Sequence, residues 1–415
     1  MRAIFICLLL HVSGVIIAQT DTVRIAQYNL LNYGNSANQP AYKDPRLSTI
    51  LQHIDPDILG VNEVFSDSTL LDRLRDSVLG PDWKRGSFYN TAGQTQVSAL
   101  FWRSSLFTLR STTLITAQTR DIVAYQLRYN DTVTVPHDTA FLTCIVAHLK
   151  AGTSSAEDAT RAGETAQIAE WLYANKPASY IMQGDLNVYD SDDSAYQLLT
   201  NHPTYGAILR DPINRPGDWH DDSGFADIHT QSPRQTTIGD GGVGGGLDDR
   251  FDQILVNDGM MQDTAAVRVL PATYRAVGQD GLHPNASLTS PPENNAAPAN
   301  VIQALYEMSD HLPVAVDIVV QITPVTATTV AAIAGLQSIT VSNPAHGALL
   351  LHGVSAGQQL RITVYDPAGR CLLQSAAVAG GRGDYTSAAQ GITGLHLVEI
   401  ADQHGGVLRK MVMFQ

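Results

Sequence analysis

Apolar residues along the chain recur with two periods, and each period predicts an element. Residues 23–29 read as a strand that delivers Asn29 at its end, and the loop-like LNYGNSANQP follows. Residues 45–54 place Leu47, Ile50, Leu51 and Ile54 at helical spacing with Pro45 near the start, and Asp55-Pro56 ends the helix. DILGVNEV then predicts a buried strand running toward Glu63. QVSALFWRSS, VAYQLRYN and FLTCIVAHLK, rich in aromatic and β-branched residues, are the next strands. From about 156 to 175 an Ala-rich helix follows, with Ala162, Ala166, Ala169 and Leu172 on one face and Pro177 marking its end. SYIMQ leads as a strand into GDLN, and RFDQILV and PVAVDIVV are later strands. Two stretches are mostly loop: 205–248, which contains GDGGVGGG, and about 278–299. The length of the first points to a surface insert or an active-site wall. Repeating strand, turn and helix units predict an α/β fold of two packed β-sheets with helices outside them. Residues 322–336 form a Thr/Ala-rich linker, and the short strands of 337–415 predict a small all-β domain without clustered His, Asp or Glu.

Residues 1–18 depart from this patterning. Arg2 precedes apolar runs at 4–10 and 12–18, a signal-peptide pattern interrupted by His11, with cleavage expected after Ala18. No later stretch approaches the roughly 20 apolar residues that span a bilayer, so no transmembrane segment is expected and the mature protein is expected outside the cell or at its surface. A hydrophobic fraction of 44% predicts a well-packed core. Cys7 leaves with the signal, and Cys144 and Cys371 fall in different domains, which argues against a disulfide framework. The net charge of -14, from 40 acidic and 26 basic residues, lacks the footprint of a tight nonspecific nucleic-acid binder. A nuclease stays open, because bound divalent ions reverse the local potential.

The strongest local signal is Gly184-Asp185-Leu186-Asn187, directly after the strand YIMQ, read as buried. Positions i and i+2 of an extended chain point the same way, so Asp185 and Asn187 can share a site while Leu186 faces the core. Gly184 permits close approach. In SDHLPVAV, Asp310 and His311 set a carboxylate for a hard metal beside an imidazole that can move a proton. His148 stands at the polar end of CIVAHLK. Each signal alone also fits an ordinary turn or a structural histidine. Together, Asn29, Glu63, His148, Asp185, Asn187, Asp252 and His311 all lie at strand ends or just beyond them, where sheet proteins assemble sites. Carboxylates for Mg²⁺ or Mn²⁺, amides for phosphate or water, and histidines for charge and proton transfer suit a phosphoryl centre.

Five ordered blocks, QYNLLNYG, DILGVNEV, VAHLKAG, QGDLNVY and SDHLPV, give residues 22–321 a resemblance to the endonuclease/exonuclease/phosphatase superfamily. That resemblance implies a four-layer α/β sandwich with two central β-sheets, metal dependence and hydrolysis of phosphoesters. It also implies roles. Asn29, Glu63 and Asp310 serve the metal, His148 contacts phosphate and assists the leaving group, and Asp185 and Asn187 orient water and phosphate. Asp252 orients His311, the base or transition-state stabiliser, while Arg120, Lys150 and Arg161 contact substrate. DPINRPGDWHDD, FADIHTQ, GGGLDDRFD and DGLHPN resemble a branch of secreted bacterial nuclease-like proteins; there His220, His229 and His283 either hold a structural Ca²⁺ or are surface polarity. Residues 337–415, with SNPAHG and VYDPAGR, resemble a Bacteroidetes-type secretion sorting domain, which implies secretion machinery as a partner; a small adhesion or carbohydrate-binding module is the alternative.

The expected function is a secreted, divalent-metal-dependent phosphodiesterase, monomeric, with nucleic acid, DNA or RNA, as substrate. A phosphatase or sphingomyelinase-like phospholipase of the same fold and a non-catalytic extracellular binding protein are the alternatives. The site walls discriminate: a lipid enzyme exposes an apolar rim, whereas a nuclease lines a groove with cations, here Arg120, Lys150, Arg161, Arg215, Arg234 and Arg250.

Overall fold

The computed structural model describes residues 19–132, 139–175, 179–263, 265–322, 336, 339–355, 358–366, 370–378, 384–402 and 407–415. The expected signal segment 1–18 and positions 323–335 of the expected linker lie outside the described residues. The chain divides into a large unit, within 19–322, and a C-terminal unit.

In the large unit the elements run β1 Gln19–Tyr33, α1 Pro40–Ile54, β2 Ile58–Phe65, α2 Ser68–Arg73, β3 Trp83–Arg85, β4 Gln96–Arg103, β5 Phe107–Thr116 and β6 Ile122–Tyr129. They continue with β7 Phe141–His148, α3 Ser155–Ala174, β8 Tyr180–Asp185, α4 Ser194–Thr200, β9 Leu209–Arg210, β10 Asp252–Asn257, β11 Val267–Ala276, α5 Ala299–Met308 and β12 Val314–Ile322. Two six-stranded sheets result, ordered β11-β12-β1-β2-β4-β3 and β5-β6-β7-β8-β10-β9. Helices α1 and α5 pack on the first sheet through Leu47, Ile50, Leu305 and Met308, and α3 and α4 on the second through Ile168, Leu172, Ala195 and Leu199. This is the four-layer α/β sandwich, with the sheets as its inner layers.

Strand parity decides what lies between the sheets. Ala26, Tyr28 and Leu30 of β1 pack under the helices, as do Leu59 and Val61 of β2. The intervening Gln27, Asn29 and Asn62 therefore face the second sheet. There, Ile145 and Ala147 of β7 and Tyr180 and Met182 of β8 face the helices, which turns His148, Gln183 and Asp185 inward. Gln27 Nε2 donates to Asn62 Oδ1 at 2.6 Å, and Asn62 Nδ2 reaches Ala147 O of the other sheet at 3.1 Å. Gly60 makes room for this polar layer, since a Cβ there would stand 2.5 Å from Gln183 Nε2.

Two helices differ from the sequence expectation. Helix α1 starts at Pro40, not near Pro45, because Lys43 is drawn into the core, where its ammonium donates to Met308 O and lies 3.6 Å from Asp240. The buried face of α3 is Arg161, Glu164, Thr165, Ile168, Ala169 and Leu172, so Ala162 and Ala166 flank it. Its polar members are tied to the preceding turn: Glu164 accepts the Lys150 N–H, and Arg161 donates to the carbonyls of Lys150 and Gly152. Strand β11 and helix α5 arise from stretches not assigned from sequence, α5 beginning where the polar insertion ends.

The C-terminal unit is all β: β13 Thr340–Val341, β14 Ala348–His352, β15 Gln359–Tyr365, β16 Cys371–Val378, β17 Asp384–Ala388, β18 Gly394–Asp402 and β19 Val407–Phe414. They form sheets β13-β14-β17 and β16-β15-β18-β19 around Leu349, Leu351, Ile362, Val364, Val398, Ile400 and Phe414. No helix among the described residues is long and apolar enough to cross a membrane.

Candidate active site

Asp185 closes β8, pairing with His148 at the end of β7 on one side and with Asp252 at the start of β10 on the other. The second sheet thus presents these three side chains as one row. Gly184 is required beneath them: φ is +159° and a Cβ would lie 1.8 Å from Ala147 O, inside the backbone of the neighbouring strand.

The first sheet supplies Asn29 and Glu63. Parity alone would turn Glu63 toward the helices, beside Asn62. The β2–β4 ladder, however, slips between Val61 and Val64, and Glu63 adopts left-handed backbone at φ 58°. This bulge aims the carboxylate back at the other sheet. Asn29 Nδ2 donates to Glu63 Oε1 at 3.2 Å and Asp185 Oδ2 at 3.0 Å, while its Oδ1 accepts the Leu31 N–H. Asn29 therefore orders the two carboxylates with its nitrogen and has its oxygen engaged elsewhere. Glu63 Oε2 accepts from Asn32 N–H at 3.2 Å and Gln96 Nε2 at 3.1 Å.

His148 Nε2 lies 3.4 Å from Asp185 Oδ2 and 3.9 Å from Glu63 Oε1. One donor atom from each of Glu63, His148 and Asp185 lies within 4.8 Å of the other two. His311 approaches from the segment before β12, with Nε2 3.7 Å from Asp185 Oδ2 and Nδ1 2.7 Å from Asp252 Oδ2. Ser309 fixes this approach, its Oγ accepting the His311 N–H and donating to Asn29 O. Asn187, also left-handed at φ 52°, donates its N–H to Asp185 Oδ1 and its Nδ2 to Leu149 O.

Charge is concentrated here without an internal counterion for every acid. Burial and then Asp310 push the Glu63 carboxyl up. Burial pushes Asp185 up to about 7, against the His311 charge, with Asp252 and Glu63 adding to the rise. Burial, Arg120 and His311 hold His148 well below the ordinary imidazole value, so it is neutral with a lone pair available. Burial opposes charge on His311 too, but Asp252 and Asp185 outweigh it and raise it well above the usual value. Two buried carboxylates and a neutral imidazole converging on one point fit a divalent cation, which would relieve their mutual repulsion.

Not every expected residue joins this group. Asp310 contributes charge, but its Oδ2 accepts the Val243 N–H of the glycine-rich run at 2.8 Å, and it is not among the three closely grouped donors. Arg120 donates to the carbonyls of His148 and Leu149. Lys150 pairs with Glu157, and Arg161, 1% exposed, with Asp158 and Asp193. Among the described residues most of the cations expected along a groove are ion-paired. Arg215, Arg234 and Arg250 are neutralised by Asp227, Asp240 and Asp211, the last two pairs buried. His220, His229 and His283 belong to no group of three metal-binding side chains among the described residues. They are loop staples: His220 binds Asp249, His229 bridges Trp219 O and Leu247 O, and His283 binds Asp280.

With this geometry in hand, the chain's relatives are informative. Residues 26–311 match the endonuclease/exonuclease/phosphatase family. The chain belongs to this family. Solved structures with a similar course include an endonuclease/exonuclease/phosphatase family protein from Bacteroides thetaiotaomicron, 18% identical, covering 73% of this chain and 99% of that one with a TM-score of 0.44. The endonuclease/exonuclease/phosphatase from Bacteroides vulgatus is 16% identical, with 72% and 98% coverage and a TM-score of 0.47. D. rerio TDP2, complexed with single strand DNA product, is 13% identical, with 72% and 98% coverage and a TM-score of 0.46. None of the curated proteins compared with the chain matches it. As a member of this family with a buried His/Asp/Glu cluster, the protein has the constitution of a metal-dependent phosphoesterase.

Sequence reasoning missed Asn62, Gln96 and Gln231. Asn62 Oδ1 accepts the Asp185 N–H at 3.0 Å, and its place two residues after Gly60 on a buried strand was the available signal. Gln96 sits at a strand start with no motif around it. Gln231 lies in the long loop, where no periodicity operates.

Proposed function

We propose that this protein is an extracellular, divalent-metal-dependent phosphodiesterase of nuclease type. The observation that carries the reading is the convergence of Glu63, His148 and Asp185 donors within 4.8 Å, beside the Asp252–His311 pair. Glu63 and Asp185, with His148, would hold Mg²⁺ or Mn²⁺, the oxygen-rich donor set favouring these ions. When bound, the ion supplies Lewis-acid polarisation of a phosphoryl oxygen and neutralises charge. The chain's own groups do the rest. Asn29 fixes the carboxylates, Asp185 and Asn187 orient water, and Arg120 offers charge to a non-bridging oxygen. Asp252 holds Nδ1 of His311, so the charged ring turns Nε2 to the phosphate and stabilises negative charge developing there.

Nucleic acid is the substrate this arrangement serves first, in short or single-stranded form, because the neutralised arginines leave little to track a duplex backbone. Export rests on the composition of residues 1–18 and on the tail read as a sorting domain; intact mass of the secreted protein tests whether 337–415 is removed. Function is tested by hydrolysis of plasmid DNA, single-stranded DNA, RNA, bis-p-nitrophenyl phosphate, p-nitrophenyl phosphate and sphingomyelin, with and without chelator. Chelator-sensitive cleavage of the nucleic acids and the diester, abolished by Asp185→Ala and His311→Ala, is expected. Turnover unchanged by both substitutions would overturn the assigned site.

A further inference from the structure

His311 is held at both ring nitrogens. Asp252 takes Nδ1, and on the opposite side Gln231 Nε2 stands 2.7 Å from His311 Nε2. The other neighbours of that nitrogen are more distant, Asn29 Nδ2 at 3.4 Å and Asp185 Oδ2 at 3.7 Å. Gln231 is itself half-buried.

The backbone around Gln231 is tied to the same two partners. Gln231 bridges His311 on one side and Asp249 on the other, and its carbonyl accepts from Asp248 and Asp249 N–H. Thr230 O accepts the Leu312 N–H at 2.7 Å, and Thr230 Oγ1 accepts from Phe251 N–H at 3.2 Å and Asp252 N–H at 3.1 Å. Thr230 and Gln231 together set the backbone of Asp252, the backbone after His311 and the ring of His311. A loop residue with no function elsewhere would not need to be placed by three separate elements.

We propose that Gln231 is a positioning residue for His311, holding its Nε2 at the angle for phosphate approach and yielding that nitrogen when a phosphate oxygen arrives. The kinetic part of this proposal rests on the phosphodiesterase reading. An amide is suited to the task because it can present oxygen to a ring N–H or an N–H to a ring lone pair by turning over. A carboxylate offers only the first and an ammonium only the second. Removing the amide leaves the ring held by Asp252 and by the longer Asn29 contact, less constrained at Nε2, and misplacement of a catalytic group costs turnover more than affinity.

Gln231→Met, which keeps length and bulk but not the hydrogen bond, and Gln231→Ala are compared with wild type on bis-p-nitrophenyl phosphate in saturating Mn²⁺. Loss of a partner of this kind typically costs about 10- to 100-fold, so kcat is expected to fall at least about tenfold in both variants, with KM unchanged or lower. A raised KM at unchanged kcat would make Gln231 a binding contact and overturn the proposal, as would kinetics equal to wild type. An activity-independent readout accompanies this. In unliganded wild-type protein, cross-relaxation between the Gln231 side-chain amide protons and the His311 ring is expected, and the His311 ¹⁵Nε2 resonance should move in Gln231→Met. Absence of the wild-type cross-relaxation would overturn the proposal even if neither variant folds. Wild-type protein that shows it but cleaves no phosphoester would instead sink the functional reading and leave the contact standing.

Discussion

Asp252 is wholly buried, and one of its carboxylate oxygens has no partner while the other binds His311 Nδ1. Its charge, more than its shape, supports the imidazolium. Asp252→Asn preserves volume and removes that charge, and the added NH₂ favours the wrong ring tautomer. Turnover should fall by about two to four orders of magnitude, while circular dichroism and melting temperature change little. Retention of full turnover would remove the dyad from the mechanism. Gly184 fails differently. In Gly184→Ala the new methyl group meets Ala147 O on the adjacent strand, a contact no rotamer can relieve. A loss of at least about 1–3 kcal/mol in urea unfolding is expected, with residual activity falling in proportion to folded protein. A variant as stable as wild type would mean that β7 and β8 are not so closely apposed.

The elements that carry the site were legible where the signal is local. Buried strands that end in His148 and Asp185 or begin at Asp252, and the helices near Leu47 and Ile168, follow from runs and periods of apolar residues. Other features depend on a distant partner that local periodicity does not show. Glu63 reaches the site only because a bulge against β4 reverses its parity, and α3 buries Arg161 and Glu164 because the Lys150–Gly152 turn satisfies them. The loops show the same limit. His283 was open to two readings, an ion ligand or surface polarity, yet it is 1% exposed and staples the 278–298 insertion. Its Nδ1 meets Asp280 Oδ1 at 2.9 Å, and Nε2 meets Ser290 O and Pro292 O at 2.8 and 2.9 Å. All three partners accept, so the ring serves them best doubly protonated. Burial works against that charge, but Asp280 and the carbonyls outweigh it and raise the folded value above the ordinary one. The stabilisation is thus complete below the unfolded value of about 6.5 and is lost as pH rises through the folded value. The melting-temperature gap between wild type and His283→Gln should be widest near pH 6 (roughly half a unit below that value) and narrow toward alkaline pH. A gap that widens with pH would contradict the staple.

At the scale of the whole molecule, the arginine count misleads unless partners are known. Arg161, Arg234 and Arg250 are among the largest wholly buried side chains, each facing aspartate. They organise the insertion and helix α3 from within and present no positive surface. Arg120 donates to the His148 carbonyl beside the cluster of Glu63, His148 and Asp185, and the overall charge of -14 repels a polyanion at long range. On the proposed nuclease reading, affinity comes from the ion and one or two phosphates, not from a tracked backbone. The distinction is measurable through salt. With about one or two neutralised phosphates, the logarithm of kcat/KM for single-stranded DNA should fall against the logarithm of monovalent salt with a slope of roughly -0.7 to -1.4, at fixed Mn²⁺ and substrate well below KM. A small diester such as bis-p-nitrophenyl phosphate should show a slope nearly as shallow, since it meets the same few charges. A slope near -5 for DNA, corresponding to about seven contacts, would require a cationic surface that these ion pairs do not leave available, and substrate selection would then have to be assigned to a different face of the protein.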